Sequence, residues 1–426
     1  MAQTTQDKLV AEYATLAKDS FSAAPADQHG MHANKGTPNS SNDLKHVVII
    51  GKYYPPELGG VERYTSEVAA VASSKYRVTV LVHNRPPHDA IEKSGNVTII
   101  RCGTLKTISS QPLSPSMYAH LRKLKPDLVH FNAPNFWAAA MLLLTGCRAP
   151  LIVTHHADVF GRPILRKLVM PLYRLLVRRA KYIVVNSLKN VRHSRDLPSS
   201  KGRFIEIPHG VDQRLYTINQ ALRAEIVKER KQQFGDAPVI GFVGRFVRYK
   251  GLPVLIQSLL HLDGVHALLI GAGPLQGQIK ELVRSADLSH RVHFLGEVTD
   301  EEKIRRLAMM DLLVLPSVDT TEAFGVAQIE AQLVGLPVVA SRLPTGVTDV
   351  TVDKVTGLLV PPGDPVALAG AISELIDNPA FAHRLGLAGR KHALEHFTLD
   401  AFRTQFAELY EAAMSPASVV AREGFR

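Results

Sequence analysis

Cysteine is scarce in this chain of 426 residues: there are two, Cys102 and Cys147, at no metal-ligand spacing. That argues against a disulfide scaffold or a zinc site, and it fits a reducing cytosol. No run of about 18 apolar residues occurs, so no membrane-spanning helix is expected. The opening residues, MAQTTQDKLVAEY, lack the apolar core of a signal peptide. No internal repeat of solenoid period is present. Acidic residues are missing between Val159 and Arg195, where ten Lys or Arg stand.

What is present is material for more than one core. The hydrophobic fraction is 46% and the net charge +11. A chain of this length predicts two domains. The charge suits a soluble basic protein, or one drawn to phosphates or an anionic membrane face. Residues 1–43 are polar and read as a disordered tail, with a short helix near Asp7–Phe21. From His46 onward, short apolar runs of the buried-strand type recur: HVVIIG, RVTVLVH, VTIIR, DLVHF, PLIVT and YIVVNS. After Pro208-His209-Gly210-Val211-Asp212 and a charged stretch, a second series follows: PVIGFVG, HALLIG, RVHFLG, DLLVLP, LPVVAS and GLLVPP. Amphipathic segments of helical length separate most of these runs. The alternation predicts two doubly wound α/β domains, each a parallel sheet covered on both faces. The expected limits are 44–210 and 238–397, with a linker at 211–237 and a C-terminal helix and tail at 398–426.

Ligands of open parallel sheets bind beyond the carboxyl ends of the strands. The segments that carry chemistry fall at such ends. In Pro316–Ser341, Glu322 and Glu330 flank Phe324-Gly325-Val326, where a loop turns into a helix. A helix N-terminus favours a phosphate, and neighbouring carboxylates grip sugar or ribose hydroxyls. As a glycosidase pair the two glutamates fit poorly. On one helix their backbones would lie roughly 12 Å apart, against about 5 Å or 6.5–9.5 Å for such enzymes. Gly244–Gly251 places Arg245 and Lys250 on a glycine-flanked loop suited to a diphosphate; by itself it also reads as a solvated basic loop. Gly271-Ala272-Gly273-Pro274 begins like a dinucleotide fingerprint, but Gln276 stands where the third glycine belongs. It fits a tight turn or a close approach to a nucleotide. Gly59 and Gly60 precede a predicted helix and fit either an ordinary βα turn or a ligand approach. His155 and His156 follow PLIVT. Such a pair of histidines is more often structural, but its position places His156 to bond a sugar or shuttle a proton, and no metal-ligand spacing accompanies them. The basic run RPILRKLVMPLYRLLVRRAKY (162–182), with a helix-kinking Pro171, suits an anionic membrane surface or a buried leucine face with its charges in water. No nucleic-acid recognition motif accompanies the charge.

Taken together, Glu322-AFGVAQI-Glu330 with AxxxGxPVVAS behind it, the Gly-Arg…Lys-Gly loop, Pro-His-Gly-Val-Asp, Gly-x-Gly-Pro and Gly-Gly-Val-Glu resemble the retaining, nucleotide-sugar-dependent glycosyltransferases of family GT4. The resemblance runs from Val47 to Phe397. It implies the GT-B fold: two Rossmann-like doubly wound parallel-sheet domains facing a central cleft, an N-terminal one for the acceptor and a C-terminal one for the donor. A final helix crosses back to the first domain. On this sequence, Arg245 and Lys250 would hold the diphosphate and Glu330 the ribose. Glu322 and the backbone of Phe324, Gly325 and Val326 would position the sugar. Val298 would meet the base, with Gly273 beside the nucleotide. His156 matches the cleft histidine. Gly59 and Gly60 would let donor phosphates or the acceptor approach. The resemblance implies no cofactor and no metal, in keeping with the missing Asp-x-Asp motif. It implies a hexosyl transfer, with GDP-mannose as one donor. The acceptor would be a glycan or polyprenyl-linked glycan of surface polysaccharide assembly, met in the cytoplasm or at the inner membrane face. The loop Val318–Thr321 and residues 1–43 depart from the family pattern. The rival readings are a sugar-nucleotide epimerase, a glucan synthase, a non-catalytic nucleotide-sugar-binding partner and a nicotinamide dehydrogenase.

Overall fold

A computed structural model describes residues 44–415 except residue 58 and residues 109–110, 159–162 and 198–202. The expected disordered tail at 1–43 and its short helix lie outside the described residues. The chain forms two compact units. Unit 1 contains β1 (His46–Ile50), β2 (Arg77–Asn84), β3 (Ala90–Ser94), β4 (Val97–Gly103), β5 (Lys106–Ile108), β6 (Gln111–Leu113), β7 (Leu128–Ala133), β8 (Leu151–His155), β9 (Tyr182–Val185) and β10 (Phe204–Glu206). Eight of these make one sheet in the order β10-β9-β8-β7-β1-β2-β4-β3, while β5 and β6 pair separately. Every neighbour in the large sheet is parallel except the β3–β4 edge.

Unit 2 holds β11 (Val239–Val243), β12 (His266–Ile270), β13 (Val292–Gly296), β14 (Leu312–Leu315), β15 (Val338–Ser341) and β16 (Gly357–Val360). Their order is β13-β12-β11-β14-β15-β16, parallel throughout. Side chains alternate between two cores. Ile240 and Phe242 of β11, with Leu312 and Val314 of β14, enter one core. Val239, Leu313 and Leu315 enter the other. Burial on both faces explains why these strands read as unbroken apolar runs rather than as alternating ones.

The boundaries depart from the sequence expectation. Residues 211–237 are not a free linker but part of unit 2. They contain the helix Gln220–Phe234, whose Ile226 and Phe234 are buried, and Phe234 joins the Val239 core. Residues 186–193 also group with unit 2, and those from Arg403 to Ser415 group with unit 1. There the helix Leu399–Met414 buries Phe406 and Tyr410. Tyr410 OH bonds His130 Nδ1 at 2.7 Å, and the Phe406 ring stacks on His130 at 5.7 Å.

Three histidines are held neutral, His83 and His130 fully buried and His209 partly buried. Burial lowers His83 from 6.5 to about 4, His130 to about 3 and His209 to about 4. In the unfolded chain each takes up a proton near 6.5, so between those values the unfolded state binds more protons. Their contribution to stability is full above about pH 6.5 and is lost as pH falls toward the folded values. Between pH 6.5 and 5 the expected loss is roughly 2 kcal/mol for each histidine. Thermal unfolding at pH 7.5 and pH 5 should therefore differ clearly, and equal transitions at the two pH values would contradict the neutral burial.

Candidate functional site

Because all strands of unit 2 run parallel, the loops after β11, β12, β13 and β14 emerge at one edge of the sheet. The loop after β11 is drawn onto the loop after β14. Gly251 has φ 68°, and a Cβ there would lie 1.9 Å from Pro316 O, so the left-handed turn and the close approach both require glycine. Val318 N donates to Tyr249 O at 2.8 Å. This seam carries Lys250 Nζ to 2.6 Å from Glu322 Oε2. Ser317 Oγ donates to the same oxygen at 2.8 Å. The two side chains are 12% and 7% exposed. Burial pulls the Lys250 ammonium down, but Glu322 and its neighbours outweigh it and hold Lys250 above the usual lysine value. Arg245, on the same loop, is exposed, and its guanidinium makes no hydrogen bond or ion pair among the described residues.

Glu322 lies in the loop and Glu330 on the helix Val326–Leu333. The helix starts after Gly325, at φ 74°, where a Cβ would meet Leu315 Cδ2 at 2.7 Å. Gln328 Nε2 donates to Phe324 O at 2.8 Å, and Thr351 Oγ1 donates to Gln328 Oε1 at 2.6 Å. Thr345 Oγ1 donates to Glu322 O at 2.8 Å. The backbone of Glu322–Gly325 is thus pinned from two sides. The Phe324 ring is buried and packs edge-on against Phe397 at 5.7 Å. Gly325 is buried with Phe324, and Val326 is partly buried. Glu330 Oε1 accepts from Tyr216 OH at 3.0 Å and pairs with Lys303 Nζ at 2.7 Å.

Gly273 has a reason internal to the fold: a Cβ there would lie 2.5 Å from Phe246 O. Val298 follows β13, is partly buried and packs on the second core. The next residue, Thr299, caps the helix Asp300–Leu307 by accepting from Glu302 N at 3.1 Å.

In unit 1, His156 follows β8 and is 8% exposed. Asn132 Nδ2 donates to Thr65 Oγ1 at 3.3 Å, and that hydroxyl donates to Val61 O at 2.7 Å. The amide is thereby oriented with Oδ1 toward His156 Nε2, 3.2 Å away. That nitrogen therefore carries the proton. Tyr64 meets the imidazole edge-on at 4.6 Å. His155 is engaged at both nitrogens, by Tyr173 OH at 2.7 Å and Asp158 Oδ1 at 3.1 Å, which gives it a structural role. Gly59 and Gly60 are exposed at the start of the helix Gly60–Ser73. Gly59 is extended, and the Glu62 carboxylate folds against it, so that a Cβ would lie 2.1 Å from Glu62 Oε2.

Sequence reasoning brought Lys250, Glu322, Arg245 and Glu330 into view. It missed Ser317, Tyr216, Lys303 and Asn132, which hold the others. Only the capping pattern Thr299…Glu302 signals the Lys303 helix, and nothing in the sequence says where Lys303 reaches.

Comparison with known proteins bears on the family and the fold. Residues 58–215 match the family described as Glycosyltransferase Family 4, and residues 224–392 match Glycosyl transferases group 1. The chain is 29% identical over 350 residues to D-rhamnosyltransferase WbpZ of Pseudomonas aeruginosa, covering 81% of this chain and 90% of that one. It is 26% identical over 382 residues to O-antigen chain mannosyltransferase C of Escherichia coli, covering 88% and 100%. Its structure is similar to sucrose-phosphate synthase from Thermosynechococcus elongatus, with TM-score 0.74 and 25% identity over 86% of this chain and 98% of that one.

The buried pair yields a stability test. Lys250→Met leaves Glu322 buried without its cation and should destabilise unit 2 by about 3–5 kcal/mol. Adding Glu322→Leu should recover most of that loss. Urea unfolding of the two variants measures both, and an unchanged midpoint for Lys250→Met would exclude the pair as the joint between these loops.

Proposed function

The chain belongs to the group 1 glycosyltransferases of family 4, retaining enzymes, and we propose that it moves a hexosyl group from a nucleotide-diphosphate sugar to a glycan acceptor of surface polysaccharide assembly. The observation that carries the reading is the buried Lys250–Glu322 pair beside the exposed Arg245, at the carboxyl edge of a parallel sheet. In this reading unit 2 takes the donor and unit 1 the acceptor. Mannose or D-rhamnose as the sugar is supported by the names of the two bacterial relatives, with GDP-mannose as the first donor to test.

Arg245, Lys250 and the N-terminus of the helix Val326–Leu333 stabilise negative charge growing on the leaving diphosphate. An ammonium has three donors, so Lys250 holds Glu322 and a phosphate oxygen together. Glu322 uses its other oxygen to accept from sugar hydroxyls, and Glu330 accepts from the ribose. The backbone of Phe324, Gly325 and Val326 lines the sugar, Gly273 and Val298 the nucleotide, and Gly59 and Gly60 a phosphate or the acceptor. His156 bonds a sugar hydroxyl. The sugar passes through an oxocarbenium-like state. The acceptor hydroxyl attacks from the face of the leaving group, whose oxygen takes its proton, and configuration is retained.

Contact with an anionic bilayer is supported by the helix Pro163–Arg179. It buries Met170, Tyr173, Leu176 and Val177. Lys167, Arg174 and Arg178 are exposed, as is Leu175 at 54%. No described helix is long and apolar enough to cross a membrane.

Three outcomes test this function. Arg245→Ala should lower transfer by about 100- to 1000-fold, as the loss of one preorganised charge does, with unfolding unchanged because the guanidinium is unbonded. Full activity in that variant would remove Arg245 from the site. With donor but no acceptor, the donor sugar should stay unconverted; interconversion would indicate an epimerase. Sedimentation with vesicles rich in anionic lipid should capture the protein, and Arg174→Glu with Arg178→Glu should release it. Equal capture by zwitterionic vesicles would reject the electrostatic contact.

A further inference from the structure

Glu330 is held by two groups from two other elements, and both close on the same oxygen. Lys303, from the helix Asp300–Leu307, stands 2.7 Å from Oε1 and also 2.7 Å from Asp300 Oδ1. Tyr216, from the 3₁₀ turn Gln213–Tyr216, donates to Oε1 at 3.0 Å. The Lys303 and Glu330 side chains are 13% and 9% exposed. A carboxylate oxygen offers two lone-pair directions, so Oε1 is fully engaged. Oε2 takes no hydrogen bond among the described residues. Left alone, a glutamate carboxylate turns freely about its last torsion; two donors on one oxygen remove that freedom.

We infer that Lys303 and Tyr216 are positioning residues that make Glu330 a one-oxygen reader of the donor ribose, with Oε1 retained by the protein and Oε2 aimed at the ribose hydroxyls. The inference rests on the reading that Glu330 meets the ribose. Burial pulls Lys303 down, but Glu330, Tyr216 and Asp300 together hold it well above the usual lysine value, so the cation stays charged throughout the working range. The aim of the carboxylate is then set before the donor arrives. Such preorganisation lessens the ordering needed on binding and sharpens selectivity. Without Lys303 the carboxylate is buried with one neutral donor, and its orientation is no longer fixed.

The test is calorimetric binding of GDP, UDP and the 2′-deoxy and 3′-deoxy forms of the tighter binder to the full chain. The wild type should prefer the ribose form to at least one deoxy form by about tenfold or more, the weight of a hydrogen bond to a charged group. Lys303→Met should lose most of that preference through weaker binding of the ribose form, with affinity for the deoxy form nearly unchanged. Lys303→Arg should restore it, and Tyr216→Phe should lose a smaller part. A Lys303→Met protein that folds and keeps the wild-type ratio overturns the inference. If Lys303→Met does not fold, an unchanged ratio in Tyr216→Phe overturns it instead. Glu330→Ala separates the two levels. If that variant keeps the ratio, or if neither diphosphate binds the wild type, the ribose reading itself fails. If it loses the ratio while Lys303→Met retains it, only the present inference fails.

Discussion

Glu322 is buried only because Lys250 is buried beside it. Removing either charge from water is expensive, and the 2.6 Å contact repays it only while both partners are present. Such a pair is a poor way to gain stability, since apolar residues of similar volume usually do as well or better. Unit 2 nevertheless builds the arrangement twice. Glu330 is held by Lys303 as Glu322 is held by Lys250, and in each case a hydroxyl, Tyr216 or Ser317, shares the same oxygen. Two buried carboxylates, each with one oxygen engaged and one turned elsewhere, are hard to explain by folding alone. They suit recognition of hydroxyl groups in a site where direction matters.

The backbone makes these pairs unavoidable. Parallel strands deliver their loops to one edge, and three glycines let those loops touch. Gly251 admits Pro316 O, Gly271 admits Gly244 O and Gly273 admits Phe246 O, each far inside the distance a Cβ tolerates. The GxG turn that resembles a dinucleotide fingerprint therefore has a fold-level cause: it seats the loop after β12 against the loop that carries Arg245 and Lys250. The two alternating cores under the sheet hold that edge rigid. Small displacements of the charged loops would break an ion pair in a region of low dielectric, so the cores and the site are mechanically one object.

The sequence reports the parts of this design that have a period or a fixed spacing. The central strands are legible because both faces are buried and their apolar runs are unbroken. The strands it does not announce are β3 and β5, short and largely exposed, and β6 and β10, three residues each and mostly half-buried. Exposed edges leave no hydrophobic signature. The segment 211–237, expected as a linker, is hard to read for a related reason: KERKQQF looks solvated, yet the helix it ends buries Ile226 and Phe234, and two widely spaced apolar residues leave little periodic signature. In the site, Glu322 and Glu330 are legible through their spacing, and Arg245 and Lys250 through their glycines. Tyr216 and Lys303 lie far from Glu330 along the chain. Their convergence depends on how helices pack, which no local pattern records.

The pairing also bears on how configuration is retained. A carboxylate acting as a nucleophile attacks with an unencumbered oxygen and gains from being poorly stabilised. Glu322 has one oxygen tied to an ammonium and a hydroxyl, and a cation so close draws charge from the whole group. That environment favours an oriented acceptor over an attacking group. The same logic applies to His156, whose Nε2 proton is committed to Asn132 Oδ1, which makes it a group fixed in tautomer rather than one poised to shuttle through both nitrogens. In the proposed reaction, then, neither residue supplies the base or the covalent intermediate. The proton of the acceptor goes to the departing diphosphate, and the protein contributes charge at Arg245 and Lys250 and direction at its two glutamates.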